Sequence, residues 1–165
     1  EALRILDSVT KGYDAPDYYL LKAEIAGYLG DEIQRLENMD SYFQKVRNPD
    51  YGDMYNAYNL NLYVNETHQY DKAITLAQKE VQNRPTPESY SWLAFSYLKN
   101  GNKEKAKELI DTYVLNKTFE PALLYHVAKV YKAHGELDKV KELKGELIGA
   151  LYELGPNMEK QIQEL

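Results

Sequence analysis

The chain has no cysteine in its 165 residues, which removes disulfides, thiolate metal ligands and cysteine nucleophiles together. It has no run of about 18 apolar residues and no basic segment leading into an apolar one, so neither a transmembrane segment nor a signal peptide is visible. Histidine is confined to His68, His126 and His134, without an HExxH or other paired spacing, and no metal site is expected. There is also no GxSxG elbow, phosphate-cradling glycine loop or GxGxxG stretch. Hydrolase and nucleotide-enzyme readings therefore lack their electrophile-stabilising parts, and the expectation is a non-enzyme with no cofactor. Tryptophan occurs once and phenylalanine three times.

Against these shortages stand 16 tyrosines. A tyrosine ring can pack while its hydroxyl stays at a wet boundary. Both a packing role between structural repeats and an aromatic ligand surface are open at this point. Charge is net acidic, with 26 carboxylates against 20 basic side chains. The basic stripes Lys99 to Lys107 and Lys139 to Lys144 are interleaved with acids such as Glu104 and Glu108, as on a solvated helix face. A phosphate-backbone binder needs a more concentrated stripe, so no nucleic-acid partner is expected, nor an anionic membrane surface. The first residue is Glu1, which suggests that a preceding piece has been removed, and with it any address; the cytoplasm is the default compartment.

What organises the chain is a period. Tyr97 and Gly101 recur 34 residues later as Tyr131 and Gly135, Ala106 recurs as Val140, and Tyr63 precedes Tyr97 by the same 34 residues. Periods of this size mean stacked helical units, none able to bury its apolar face alone. The pattern resembles the tetratricopeptide repeat family. It falls on Tyr90, Leu93, Ala94, Tyr97, Gly101, Asn102, Ala106, Ile110 and Tyr113, and again on Leu124, Val127, Ala128, Tyr131, Gly135, Val140 and Lys144. A third instance is Leu60, Tyr63, Tyr70, Ala73, Ala77 and Pro85, with one extra residue placed in the turn Asn65 to Gln69. The resemblance implies an all-α fold, a right-handed superhelix of antiparallel helix pairs (an alpha-alpha solenoid).

Read in order, residues 1-13 form a half unit with Leu3, Leu6 and Val9 on one stripe, followed by units 17-47, 52-85, 87-119 and 121-153 and a terminal capping helix 156-165, all in a single repeat domain. The half unit suggests a cut through a longer solenoid or a natural cap. Unit 17-47 fits the pattern poorly. Its helices are expected to pack through Leu21, Ile25 and Tyr28 and through Ile33, Leu36, Met39, Phe43 and Val46, with Gly30 as breaker and Asp31 as cap. Helices are further expected over Asp53 to Val64, Gln69 to Asn83, Glu88 to Lys99, Lys103 to Val114, Ala122 to Ala133 and Leu137 to Leu151. Two glycosylation sequons, Asn65-Glu66-Thr67 and Asn116-Lys117-Thr118, lie in loops or at helix ends.

Proteins of this repeat family bind peptides or helices of partners along a concave face lined by first helices. The resemblance therefore implies a protein or peptide partner held by Tyr58, Asn61, Trp92, Tyr125, His126 and Lys129, with rings as anchors, Asn61 bonding a partner backbone and Lys129 steering charge. The family's carboxylate clamp, Lys with Asn, then Asn, then Lys with Arg on successive first helices, is not carried over: starting at the second unit those places hold Ala57 with Asn61, Trp92, and Ala122 with His126, and starting at the first they hold Lys22 with Ala26, Tyr58, and Glu88 with Trp92. Two alternatives remain: a structural segment that self-associates or supports further chain, and a glycan-binding surface suggested by the Tyr and Asn density of Tyr55 to Tyr63.

Overall fold

Proline opens three of the helices, where its missing N–H costs nothing and its fixed φ favours the first turn. In the computed structural model, which describes residues 1–165, Pro16 begins α2 (Pro16–Tyr28), Pro87 begins α6 (Pro87–Lys99) and Pro121 begins α8 (Pro121–Ala133). The remaining helices are α1 (Ala2–Val9), α3 (Glu32–Lys45), α4 (Asn56–Asn65), α5 (Tyr70–Asn83), α7 (Lys103–Leu109), α9 (Leu137–Gly149), α10 (Leu151–Leu154) and α11 (Met158–Gln163). A 3-10 turn spans Pro49–Tyr51, and a π-helical turn, Ile110–Val114, continues α7. The architecture is all-α and made of helix pairs. No helix is long and apolar enough to cross a membrane.

The chain divides into two compact units, Glu1–Tyr55 and Asn56–Leu165. In the N-terminal unit α2 and α3 form a hairpin closed by Gly30, whose φ of +76° suits glycine, while Asp31 accepts a hydrogen bond from the Gln34 N–H to cap α3. The expected packing stripe is corrected here. Leu21, Tyr28, Ile33 and Leu36 are exposed; the buried positions are Pro16, Lys22, Ala23 and Ala26 on α2 and, beside the expected Met39, Tyr42 on α3. Apolar residues surround α2, so periodicity cannot select a face, and close helix approach favours the small ones. Gly27 belongs to the same logic, since a Cβ there would lie 3.1 Å from the Cδ of Arg35. Lys22 is buried against Asp7, at 2.9 Å, and the Thr10 hydroxyl.

In the C-terminal unit the hairpins α4–α5, α6–α7 and α8–α9 share one core containing Leu60, Val64, Ala73, Ala77, Ala94, Ala106, Val127, Ala128, Tyr131 and Val140. Gly101 and Gly135 turn two of the hairpins at positive φ. The longer turn after α4 puts His68 in that region instead, at φ +53°. Helix α4 starts at Asn56 rather than Asp53. The helix expected over Lys103 to Val114 widens at Ile110 into the π turn, which brings Tyr113 flat against Tyr90 with centroids 3.9 Å apart. The helix expected to reach Leu151 stops at Gly149 and restarts as α10. Helix α11 packs on α9, with Ile162 fully buried.

Candidate functional site

Helices α6 and α8 lie side by side, and Trp92 and His126, 34 residues apart, face one another. Trp92 meets His126 edge-on, with centroids 4.6 Å apart. The His126 ring stacks on Phe95 at 4.1 Å and 12°. Tyr125 approaches Phe95 at 6.5 Å in an edge arrangement. Phe95, Tyr125 and His126 are buried and make a floor, while Trp92 is partly exposed. Two cations border the rings: Lys99 Nζ stands 5.2 Å from the Phe95 centroid and Lys129 Nζ 5.9 Å from that of Tyr125.

His126 is fixed by a buried hydrogen bond between its Nδ1 and the Ser91 hydroxyl, 2.9 Å long. Desolvation, and then the field of Lys99, push the imidazole pKa down to about 3, so the ring is neutral near pH 7. A serine on a histidine nitrogen resembles a nucleophile with its base. Here the serine is wholly buried and no carboxylate orients the ring, so the pair ties α6 to α8. The Lys129 ammonium is lowered from its ordinary value by burial, then by Lys99 and Lys132. Burial raises the Tyr125 phenol, whose hydroxyl donates to Gln161 Oε1 at 3.2 Å.

Of the residues expected at the site, Trp92, Tyr125, His126 and Lys129 come together in this cluster. Tyr58 and Asn61 stand exposed on α4, the Asn61 Oδ1 accepting from the Asn65 amide at 2.7 Å. Phe95 and Lys99 were not among the expected contacts, although the 34-residue register points to Phe95, which lies midway between Asn61 and Lys129. The helices α4 and α5 also flank an open groove of about 490 Å³ lined by Asn59, Tyr63, Lys72 and Leu76 among others. His68 lies in a turn, and the His134 Nε2 is 3.0 Å from the Lys103 carbonyl. No group of three or more histidine, aspartate or glutamate side chains is arranged to hold a metal ion.

Residues 66–143, a little under half of the chain, match the family described as anaphase-promoting complex, cyclosome, subunit 3. No curated protein and no solved structure matches the chain. Over the matched stretch, which covers α5 to α8 and the start of α9, the chain is a tetratricopeptide-like helical-repeat domain similar to that family. That stretch is a helical-repeat scaffold of the kind consistent with protein–protein interaction.

Proposed function

We propose that the face built by α4, α6 and α8 binds a partner polypeptide, with Trp92, Tyr125, His126 and Lys129 at its centre and Tyr58 and Asn61 one helix away. The observation that carries this reading is the packed ring floor of Phe95, Tyr125 and His126, against which the partly open Trp92 is held edge-on. A ring already fixed by its neighbours loses little freedom on binding, and aromatic anchors in such settings dominate interface energies. The matched family bears the name of a subunit of a complex, which fits a chain that works by assembly. Asn61 offers an amide to a partner backbone and Tyr58 an exposed ring.

The test is capture from the native lysate on immobilised chain, comparing wild type with Trp92→Ala while circular dichroism monitors folding. A polypeptide retained by wild type and lost by the folded variant supports this face; equal retention moves the binding elsewhere. A second reading, self-association, is favoured by the exposed Leu21, Leu29, Ile33 and Leu36 of the N-terminal unit. Light scattering over a wide concentration range decides it, and a strict monomer would remove it.

A further inference from the structure

We infer that the partner segment taken by this face is acidic, presenting carboxylate side chains to Lys99 and Lys129. The inference rests on the reading above and adds the chemistry of the partner. Seven lysines are buried or partly buried: Lys22, Lys45, Lys99, Lys105, Lys107, Lys129 and Lys144. Four of them meet carboxylates, namely Lys22 with Asp7 at 2.9 Å, Lys45 with Asp14, Lys105 with Glu108 at 2.9 Å, and Lys107 with Glu136 at 3.0 Å. Lys144 donates to the Gln163 carbonyl at 2.6 Å. Lys99 and Lys129 alone have an aromatic ring as their neighbour instead of an anion or carbonyl.

These two lysines flank one ring cluster, Lys99 over Phe95 and Lys129 over Tyr125, with Phe95 and Tyr125 in contact. Lys99 bears electrostatically on both Lys129 and His126, and Lys132 adds to the repulsion at Lys129. Glu164 is a carboxylate whose field reaches Lys129, but it forms no ion pair there. Fully buried lysines are almost always paired, whereas a partly buried one keeps its ammonium group within reach of an incoming anion. In a chain carrying 26 acidic side chains against 20 basic ones, leaving two such cations side by side without a carboxylate creates a local positive site on a negative molecule. An incoming carboxylate gains from both cations, in a place partly shielded from water, while the rings cover apolar neighbours in the same segment. A polyanion such as nucleic acid fits less well, because the net charge of -6 repels its length.

Trp92 is the only tryptophan and lies at the site, so its fluorescence reports occupancy. The full chain is titrated with three probes: a short peptide alternating Glu or Asp with Leu, its Gln/Asn counterpart, and a short single-stranded DNA. The acidic peptide is expected to change the emission saturably and to bind more weakly as salt is raised. Lys99→Gln combined with Lys129→Gln should weaken it by about tenfold or more. Charge reversal, Lys99→Glu with Lys129→Glu, should transfer the preference to a Lys/Leu peptide.

Equal binding of the acidic and amide peptides would overturn the acidic preference and leave the polypeptide-binding reading standing. No response to either peptide would likewise overturn it. The underlying reading falls only when lysate capture is also insensitive to Trp92→Ala. Tighter binding of the oligonucleotide would replace the proposed partner by a nucleic acid.

Discussion

The buried histidine gives the sharpest quantitative expectation. His126 is neutral in the folded protein down to about pH 3, whereas an exposed histidine in the unfolded chain takes up its proton near pH 6.5. Between those values the unfolded state binds the extra proton, so stability falls as pH falls, at up to about 1.4 kcal/mol per pH unit. Taking the protein from pH 7 to pH 5 should therefore cost about 2 kcal/mol through this one group. The perturbation is the double variant Ser91→Ala with His126→Phe. It removes both polar partners and leaves no unpaired hydroxyl, which alone would cost about 1–3 kcal/mol. Urea unfolding at the two pH values, for wild type and variant, isolates the term, because the other ionisable groups are present in both proteins and cancel. The variant should lose about 2 kcal/mol less than wild type on acidification. Parallel losses would refute the placement of His126 against Phe95 and Ser91.

Three further outcomes are expected. Ala73 is fully buried between helices, so Ala73→Leu should destabilise by about 1–3 kcal/mol in calorimetry, and no loss would displace the repeat register. Tyr131→Phe removes a 2.9 Å bond to Asp111 and should cost about 0.5–1.5 kcal/mol near neutral pH. Because burial and then Asp111 raise the Tyr131 pKa in the folded state, its stabilisation is present below pH 10 and lost as pH rises beyond it, so the variant should also show a shallower alkaline decline in chemical denaturation. Gly101→Ala forces an L side chain to φ +88° and should cost about 1–2 kcal/mol, read as a lowered urea midpoint without a change in slope.

Where the sequence carries an unambiguous local signal, the structure follows it. Gly101 and Gly135 mark tight turns, Asp31 caps its helix, and the prolines punctuate first helices. The small residues Ala73, Ala77 and Ala106 sit in the core shared by the hairpins, fully buried. Legibility fails in α2 and α3, where apolar residues on several sides compete: Met39 is buried as expected, but Ala23, Ala26 and Tyr42 are buried in place of Leu21, Tyr28, Ile33 and Leu36. Polar burial was equally hidden. Glu80 is buried because the Asn56 amide, at 2.6 Å, and Arg84, at 2.7 Å, satisfy it, and those partners lie 24 and 4 residues away. Tyrosine abundance has a packing role in several places: Tyr42 and Tyr131 are buried, and the Tyr97 hydroxyl accepts from the Gln78 amide at 3.1 Å.

At the candidate site the period gives rows of positions and tertiary packing gives them different depths. Tyr58, Trp92 and His126 occupy one row at 34-residue spacing, as do Asn61, Phe95 and Lys129. Along the first row exposure falls from Tyr58 to His126, and along the second the middle residue is the buried one. The reason is what each ring finds on its neighbouring helix. Phe95 is covered by His126, and Tyr125 is engaged by Gln161 near the chain's end. Repeat register can therefore nominate the face, but it cannot tell a floor residue from a rim residue. That difference decides which substitutions test binding and which only test folding: Tyr125→Ala and His126→Ala would open the core, whereas changes at Lys99 and Lys129 alter the charge offered to a partner while leaving the ring floor in place.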